Sequence, residues 1–193
     1  IVLTAAHCLE ASAQVTADIG RVTWAEAAAR GRRRPGTAFA WGPGEGRGDW
    51  AVVRLTRRYT PEAYPRLAGD GSVDGAGRMF RAVGWGLTSV EGAESPVLRQ
   101  VDLPAVPDRQ CGARAAAEIC AGDWAAGGVD TCAGDSGGPL LYADGGRWVQ
   151  VGITSWGHGC AAPHHPGHYT RVSAFVPRIR AAITRLGGAP PAG

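Results

Sequence analysis

The sequence predicts an all-β fold, a sandwich or barrel, closed by one late helix. Apolar runs of ~4–8 residues, rich in Val, Ile and Trp, recur along the chain. Gly, Pro and Asp punctuate them, with 30 Gly and 13 Pro among 193 residues. Helical periodicity is convincing only near the C-terminus.

The opening "IVLTAAHC" reads as the middle of a strand. Further strands are expected at "QVTADIG", "WAVVRL", "RAVGWG", "SPVLRQVDLP", "GGPLLY", "RWVQVGITSWG" and "GHYTRV". The helix is "SAFVPRIRAAITRLG": Ser173 is placed to cap it, and Phe175, Ile179, Ala182, Ile183 and Leu186 share one face. Gly187 is placed to end it. The polar, glycine-rich "YPRLAGDGSVDGAG" is the expected boundary between halves, giving 1–70 and 71–187, with 188–193 a disordered tail. The basic run "RGRRRPG" at 30–36 reads as a solvated loop rather than a site for an acidic polymer.

The formal charge of +3 rests on 20 Arg and no Lys, and Asn is also absent, which excludes an N-glycosylation sequon. No stretch approaches the ~18 apolar residues of a membrane span, and no signal peptide opens the chain. Neither nucleic acid nor membrane is an expected partner. Five cysteines, Cys8, Cys111, Cys120, Cys132 and Cys160, lack zinc-site spacing. They fit a secreted, disulfide-bearing protein with one cysteine left over.

"DTCAGDSGGP", residues 130–139, surrounds Ser136 with glycines. A serine hydroxyl is a poor nucleophile unless a base takes its proton and donors receive the charge on the attacked oxygen. Glycines let backbone N–H groups turn toward that oxygen. "LTAAHC" supplies a base, His7, and "GDWAVVRL" supplies a carboxylate, Asp49, to orient it. The order His, Asp, Ser differs from that of the α/β-hydrolases and of subtilisin.

"LTAAHC", "GDWAVVRL", "VGWG", "GDSGGP" and "ITSWG", in this order, resemble the chymotrypsin family of serine proteases, and most of all its secreted bacterial trypsins. The resemblance covers nearly all of residues 1–187. It implies two antiparallel β-barrels of the six-stranded type, the first incomplete, and a C-terminal helix. It also implies a secreted, zymogen-derived, monomeric endopeptidase with protein or peptide substrates and protein inhibitors as partners, and with no cofactor or metal. Ser136 would then be the nucleophile, His7 the base, Asp49 its orienter, and the N–H groups of Gly134 and Ser136 the oxyanion hole. Ser155 would bond Asp49, and Ser155, Trp156 and Gly157 would pair with the substrate backbone. Asp130 would hold a substrate Arg or Lys, with Thr131 beside it and Gly157 and Gly167 leaving the pocket open. Asp135 would receive the α-amine created on activation. Cys111–Cys120 and Cys132–Cys160 match family disulfides. Cys8 is left unpaired, and Phe80 and Tyr142 stand where a further bridge would be.

The resemblance also sets expectations about what is missing. An upstream segment is expected before Ile1. Without it the chain would be poorly active, because Ile1 could not reach Asp135. "HGCAAPHHPGH" holds four histidines, His158, His164, His165 and His168, but lacks a free acidic or thiolate partner for a metal. A calcium loop is not recognisable in residues 10–35. Ala133 and Gly46 are small, which leaves preferences beyond the primary pocket open. Two alternatives stand beside this reading: a non-catalytic homologue acting as a binding protein, and the same fold with non-tryptic specificity.

Overall fold

A computed structural model of the chain describes residues 1–10, 14–25, 33–112 and 114–191. Four antiparallel strands form the first sheet: β1 (Val2–Thr4), β2 (Thr16–Asp18), β3 (Arg33–Trp41) and β4 (Ala51–Leu55), in the order β1-β4-β3-β2. Six more strands close into a barrel: β6 (Met79–Gly84), β7 (Arg99–Val106), β8 (Glu118–Ala121), β9 (Pro139–Asp144), β10 (Arg147–Trp156) and β11 (Gly167–Arg171). Their order is β11-β8-β7-β6-β9-β10, and antiparallel pairing of β10 with β11 completes the ring. Between the two sheets, β5 (Arg66–Leu67) lies parallel on β10 at Val149 and Gln150. The fold is thus mostly β, with a closed barrel, a half-barrel sheet and a short terminal helix.

The expected strands all contribute, but three were not foreseen: β3, β8 and the two-residue β5, which lies in the stretch read as a boundary. β3 takes in Arg33, Arg34, Pro35 and Gly36, so this part of the basic run is strand and not loop. Arg33 faces Asp18 of β2 at 3.3 Å, and cross-strand charge pairing offsets the poor strand propensity. The rest of the run, residues 30–32, lies outside the described residues, as do residues 11–13 and 26–32 of the stretch read for a calcium loop. β8 was hidden in the alanine-rich "AAAEICA".

Two short helices, α1 (His7–Glu10) and α2 (Asp108–Cys111), precede the long α3 (Val172–Arg185). Helix α3 buries Phe175, Val176, Ile179, Ala182 and Ile183, and it packs on β4, β5 and β10. Its C-terminus is a Schellman turn at Gly187 (φ 77°), whose N–H bonds the Thr184 carbonyl while Gly188 N–H bonds that of Ile183. Ser173 does not cap the helix. Arg171 occupies that position, and Ser173 Oγ instead donates to Asp74, which also accepts from Arg171 Nη1 at 2.7 Å. A buried guanidinium needs its carboxylate, and Ser173 is drawn into that pair. The end of the expected tail, residues 192 and 193, lies outside the described residues.

Both expected disulfides are present, Cys111–Cys120 and Cys132–Cys160, and Cys8 is an unpaired, half-buried thiol. Phe80 and Tyr142 meet edge-to-face with centroids 6.5 Å apart, filling with aromatic contact the place of a missing bridge. No described helix is long and apolar enough to cross a membrane.

Ile179 has no exposed surface in the helix–barrel core. Ile179→Ala should cost about 2–5 kcal/mol, read as a lowered urea midpoint at unchanged m-value. An unchanged midpoint would show that α3 adds nothing to the fold.

Candidate active site

Strand pairing builds the site. β1 runs into His7, and Asp49 lies just ahead of β4. The antiparallel register Thr4↔Ala51 sets the end of one strand beside the start of the other. His7 Nδ1 and Asp49 Oδ2 are therefore 2.7 Å apart, and His7 N–H donates to Asp49 Oδ1 at 3.0 Å. From β10, Ser155 Oγ donates to Asp49 Oδ2 at 2.6 Å, and from β11, Thr170 Oγ1 donates to the Asp49 carbonyl at 2.9 Å. Asp49 is 1% exposed. Burial pushes its carboxyl up, but the bonds from His7 and Ser155 outweigh this and hold it below the usual carboxylate range. The same bond to Asp49 raises His7 well above an ordinary histidine. With Asp49 accepting at Nδ1, that nitrogen carries the proton and Nε2 of the neutral ring is left as acceptor.

Ser136 is exposed in a tight turn that Asp135 N–H→Cys132 carbonyl and Gly138 N–H→Asp135 carbonyl bonds close. Gly137 (φ 77°) N–H donates to the Thr154 carbonyl at 2.8 Å, and a Cβ there would collide with Thr4 and crowd Cys8 Sγ at 3.2 Å. Only glycine lets the Ser136 turn lie against the residues that flank His7. Ser136 itself makes no hydrogen bond to His7, whose Nε2 has Cys8 Sγ at 3.8 Å. Such bonds often tighten only when substrate binds. Among the described residues, the N–H groups of Gly134 and Ser136 have no acceptor in the protein.

Asp130 lies in the same segment. Its Oδ1 accepts from Thr131 N–H at 2.7 Å and from Tyr169 Oη at 3.3 Å, and Thr131 Oγ1 meets Tyr169 Oη at 2.9 Å. A Cβ on Gly167 would collide with that carboxylate, whereas one on Gly157 would meet nothing closer than 3.5 Å. Burial pushes the Asp130 carboxyl up to about 6, against the hydrogen bonds that favour its ionised form. Asp135 accepts from Gly86 N–H at 2.8 Å and Cys132 N–H at 3.0 Å, beside a cavity of about 360 Å³ lined by Gly84, Gly86, Arg99, Asp130 and Thr131. The Ile1 side chain lies elsewhere, against Gly188 beyond the end of α3.

The Trypsin family model matches residues 1–179. The chain belongs to the trypsin family of serine proteases. It is 39% identical to a trypsin-like protease of Streptomyces glaucescens, over 96% of this chain and 72% of that protein. It is 36% and 35% identical to serine protease 56 of Mus musculus and Homo sapiens, over 90% of this chain but 31% of each of those proteins.

In this trypsin-family chain, sequence reading missed the support beneath Trp156. Its indole N–H donates to Glu118 Oε1 at 2.9 Å, and its ring stacks on His168 with centroids 3.7 Å apart. His168 Nδ1 lies 3.0 Å from Glu118 Oε2. Despite the common run of sequence, the histidines divide. His168 sits in β11, His158 and His165 pack on each other, and His164 packs on Trp124. A single acid in an apolar run was the available signal for Glu118.

Because Asp49 raises His7, their pairing contributes stability that is complete below the unfolded histidine value of 6.5 and is lost as pH rises through the elevated folded value. Asp49→Asn should bring the His7 titration, followed by NMR of its ring protons, to lower pH. The stability gap between the two proteins should narrow as pH climbs above 6.5. A His7 titration unmoved by Asp49→Asn would contradict the assigned cause.

Proposed function

We propose that the chain is the catalytic part of a secreted endopeptidase that cleaves after Arg and Lys through an acyl-enzyme. The observation that carries this reading is the buried Asp49 carboxylate fixed to His7 on the wall against which the Ser136 turn packs. Ser136 Oγ attacks the scissile carbonyl carbon while His7 Nε2 takes the hydroxyl proton. The electron pair displaced onto the carbonyl oxygen is received by the N–H groups of Gly134 and Ser136. Collapse expels the amine, which leaves with the proton from His7. Water repeats the steps against the acyl-enzyme and frees Ser136. Asp49 stabilises the imidazolium that forms twice in the cycle.

Binding follows from the edge of β10. Its pairing with β9 ends at Ile153↔Pro139, so beyond the Thr154 bonds to the Ser136 turn, Ser155–Gly157 offers an unpaired edge to an extended peptide. A side chain entering past Gly157 and Gly167 meets Asp130, with the Thr131 hydroxyl beside it. A guanidinium or ammonium is the natural partner for a buried carboxylate there. In this reading Asp135 receives an α-ammonium on activation, and the two halves of the chain supply His7 and Asp49, then Asp130 and Ser136.

Ser136→Ala and His7→Ala should each lower kcat by roughly 10⁴-fold or more, with the double variant little worse, since the groups act as a unit. Asp130→Ser should abolish the preference for Arg over Phe ester substrates. Equal rates on Arg and Phe substrates in the unmodified protein would refute the specificity.

Asp130 must ionise to hold a cation. Benzamidinium inhibition should therefore weaken about tenfold per pH unit below about 6, measured as the inhibition constant against pH. A flat profile from pH ~7 to ~4 would remove Asp130 from the pocket.

A further inference from the structure

The proposed site leaves one cation unassigned. Arg114 is exposed, and its guanidinium carbon lies 5.2 Å from the centroid of the Trp156 ring. It also presses on the loop that precedes Asp49: a Cβ on Gly46 would meet three guanidinium atoms at 2.9 Å. Arg114 thus spans from that loop to the indole next to the open edge of β10. Among the described residues its N–H groups make no hydrogen bond and no close ion pair, although its charge acts on Glu118. The nearby Glu118 is already engaged, one oxygen by Trp156 Nε1 and the other by His168 Nδ1. The planar donor fork of Arg114 is left for a ligand, and a carboxylate matches it.

We infer that Arg114 selects an acidic side chain at the fourth residue of the substrate, counted back from the cleaved bond with the Arg or Lys as first. The inference rests on the proposed function. Side chains of a strand-paired peptide alternate between faces. With the first in the Asp130 pocket, the second and fourth share the other face, over the indole. The second lies nearest His7, where the Glu45 carboxylate comes within 4.8 Å of the His7 and Asp49 side-chain polar atoms. An acid is repelled there. The fourth lies about 7 Å further along the strand, toward the guanidinium.

The test uses fluorogenic tetrapeptide amides ending in Arg, with Glu, Ala or Arg as fourth residue, and a single-residue Arg amide run alongside. Unmodified protein should show kcat/KM for Glu roughly two- to fivefold above Ala, with Arg below Ala, and the spread should shrink in about 0.5 M salt. Arg114→Ala should bring the Glu-to-Ala ratio to about one, and Arg114→Glu should invert it. Gly46→Asn tolerates the left-handed backbone and fills the space the guanidinium occupies, so it should also lower the ratio. Hydrolysis of the single-residue amide without a fourth-residue preference, or with one that survives Arg114→Ala, overturns this inference alone. Failure of the activated protein, with an α-ammonium on Asp135, to hydrolyse any Arg substrate overturns the proposed function and this inference together.

Discussion

Asp49 is where separate parts of the chain are obliged to meet. A carboxylate that is 1% exposed must have its charge answered by nearby donors, and here they come from distant stretches of sequence. His7 arrives from the end of β1 and Ser155 from β10, while Thr170 of β11 holds the Asp49 backbone carbonyl in place. Just ahead of Asp49, a Cβ on Gly48 would meet the Phe175 ring of α3 at 2.8 Å, so the terminal helix closes over the same point. The half-barrel, the closed barrel and the helix therefore share one buried charge. Losing any of its partners would leave that charge short of donors, and the cost would be felt in all three.

Three aspartates near the site illustrate how environment assigns roles to one chemical group. Hydrogen bonds from His7 and Ser155 outweigh burial at Asp49 and favour its ionised form. At Asp130 burial prevails and pushes the carboxyl up to about 6. Asp135 accepts one backbone N–H from the turn that presents Ser136, that of Cys132, and one from Gly86 just past β6, and so ties the turn to that strand's end. Only Asp49 has an imidazole, and Asp130 and Asp135 both border the open cavity.

Much of this was legible in the sequence because it is local. "LTAAHC", "GDWAVVRL" and "GDSGGP" each place a chemical group next to a strand end or in a glycine turn, and short-range pattern reveals both. The Schellman end of α3 at Gly187 was visible for the same reason. What escaped depends on register between distant strands. Glu118 faces Thr170 and His168 faces Cys120 across β8 and β11, and this brings Glu118 under Trp156. Nothing near "AAAEIC" announces that partner. Ser173 looked like a helix cap until Asp74, far back in sequence, competed for its hydroxyl. The strand at Arg33–Trp41 was masked by arginines whose charge is answered from β2.

The one free edge of β10 past Ile153, its other edge being held by β11, also limits what can be cut. In a closed barrel every other strand of the ring is flanked on both sides, so only a narrow length of backbone remains to be joined. A helix cannot join it, because its N–H and C=O groups are already spent within itself. A strand inside a sheet cannot join it either, since both of its edges are taken. On the proposed reading the protein therefore reads the conformation of its target before it reads any side chain. Exposed linkers and locally unfolded segments are accessible to it, and a basic residue locked in regular structure is spared.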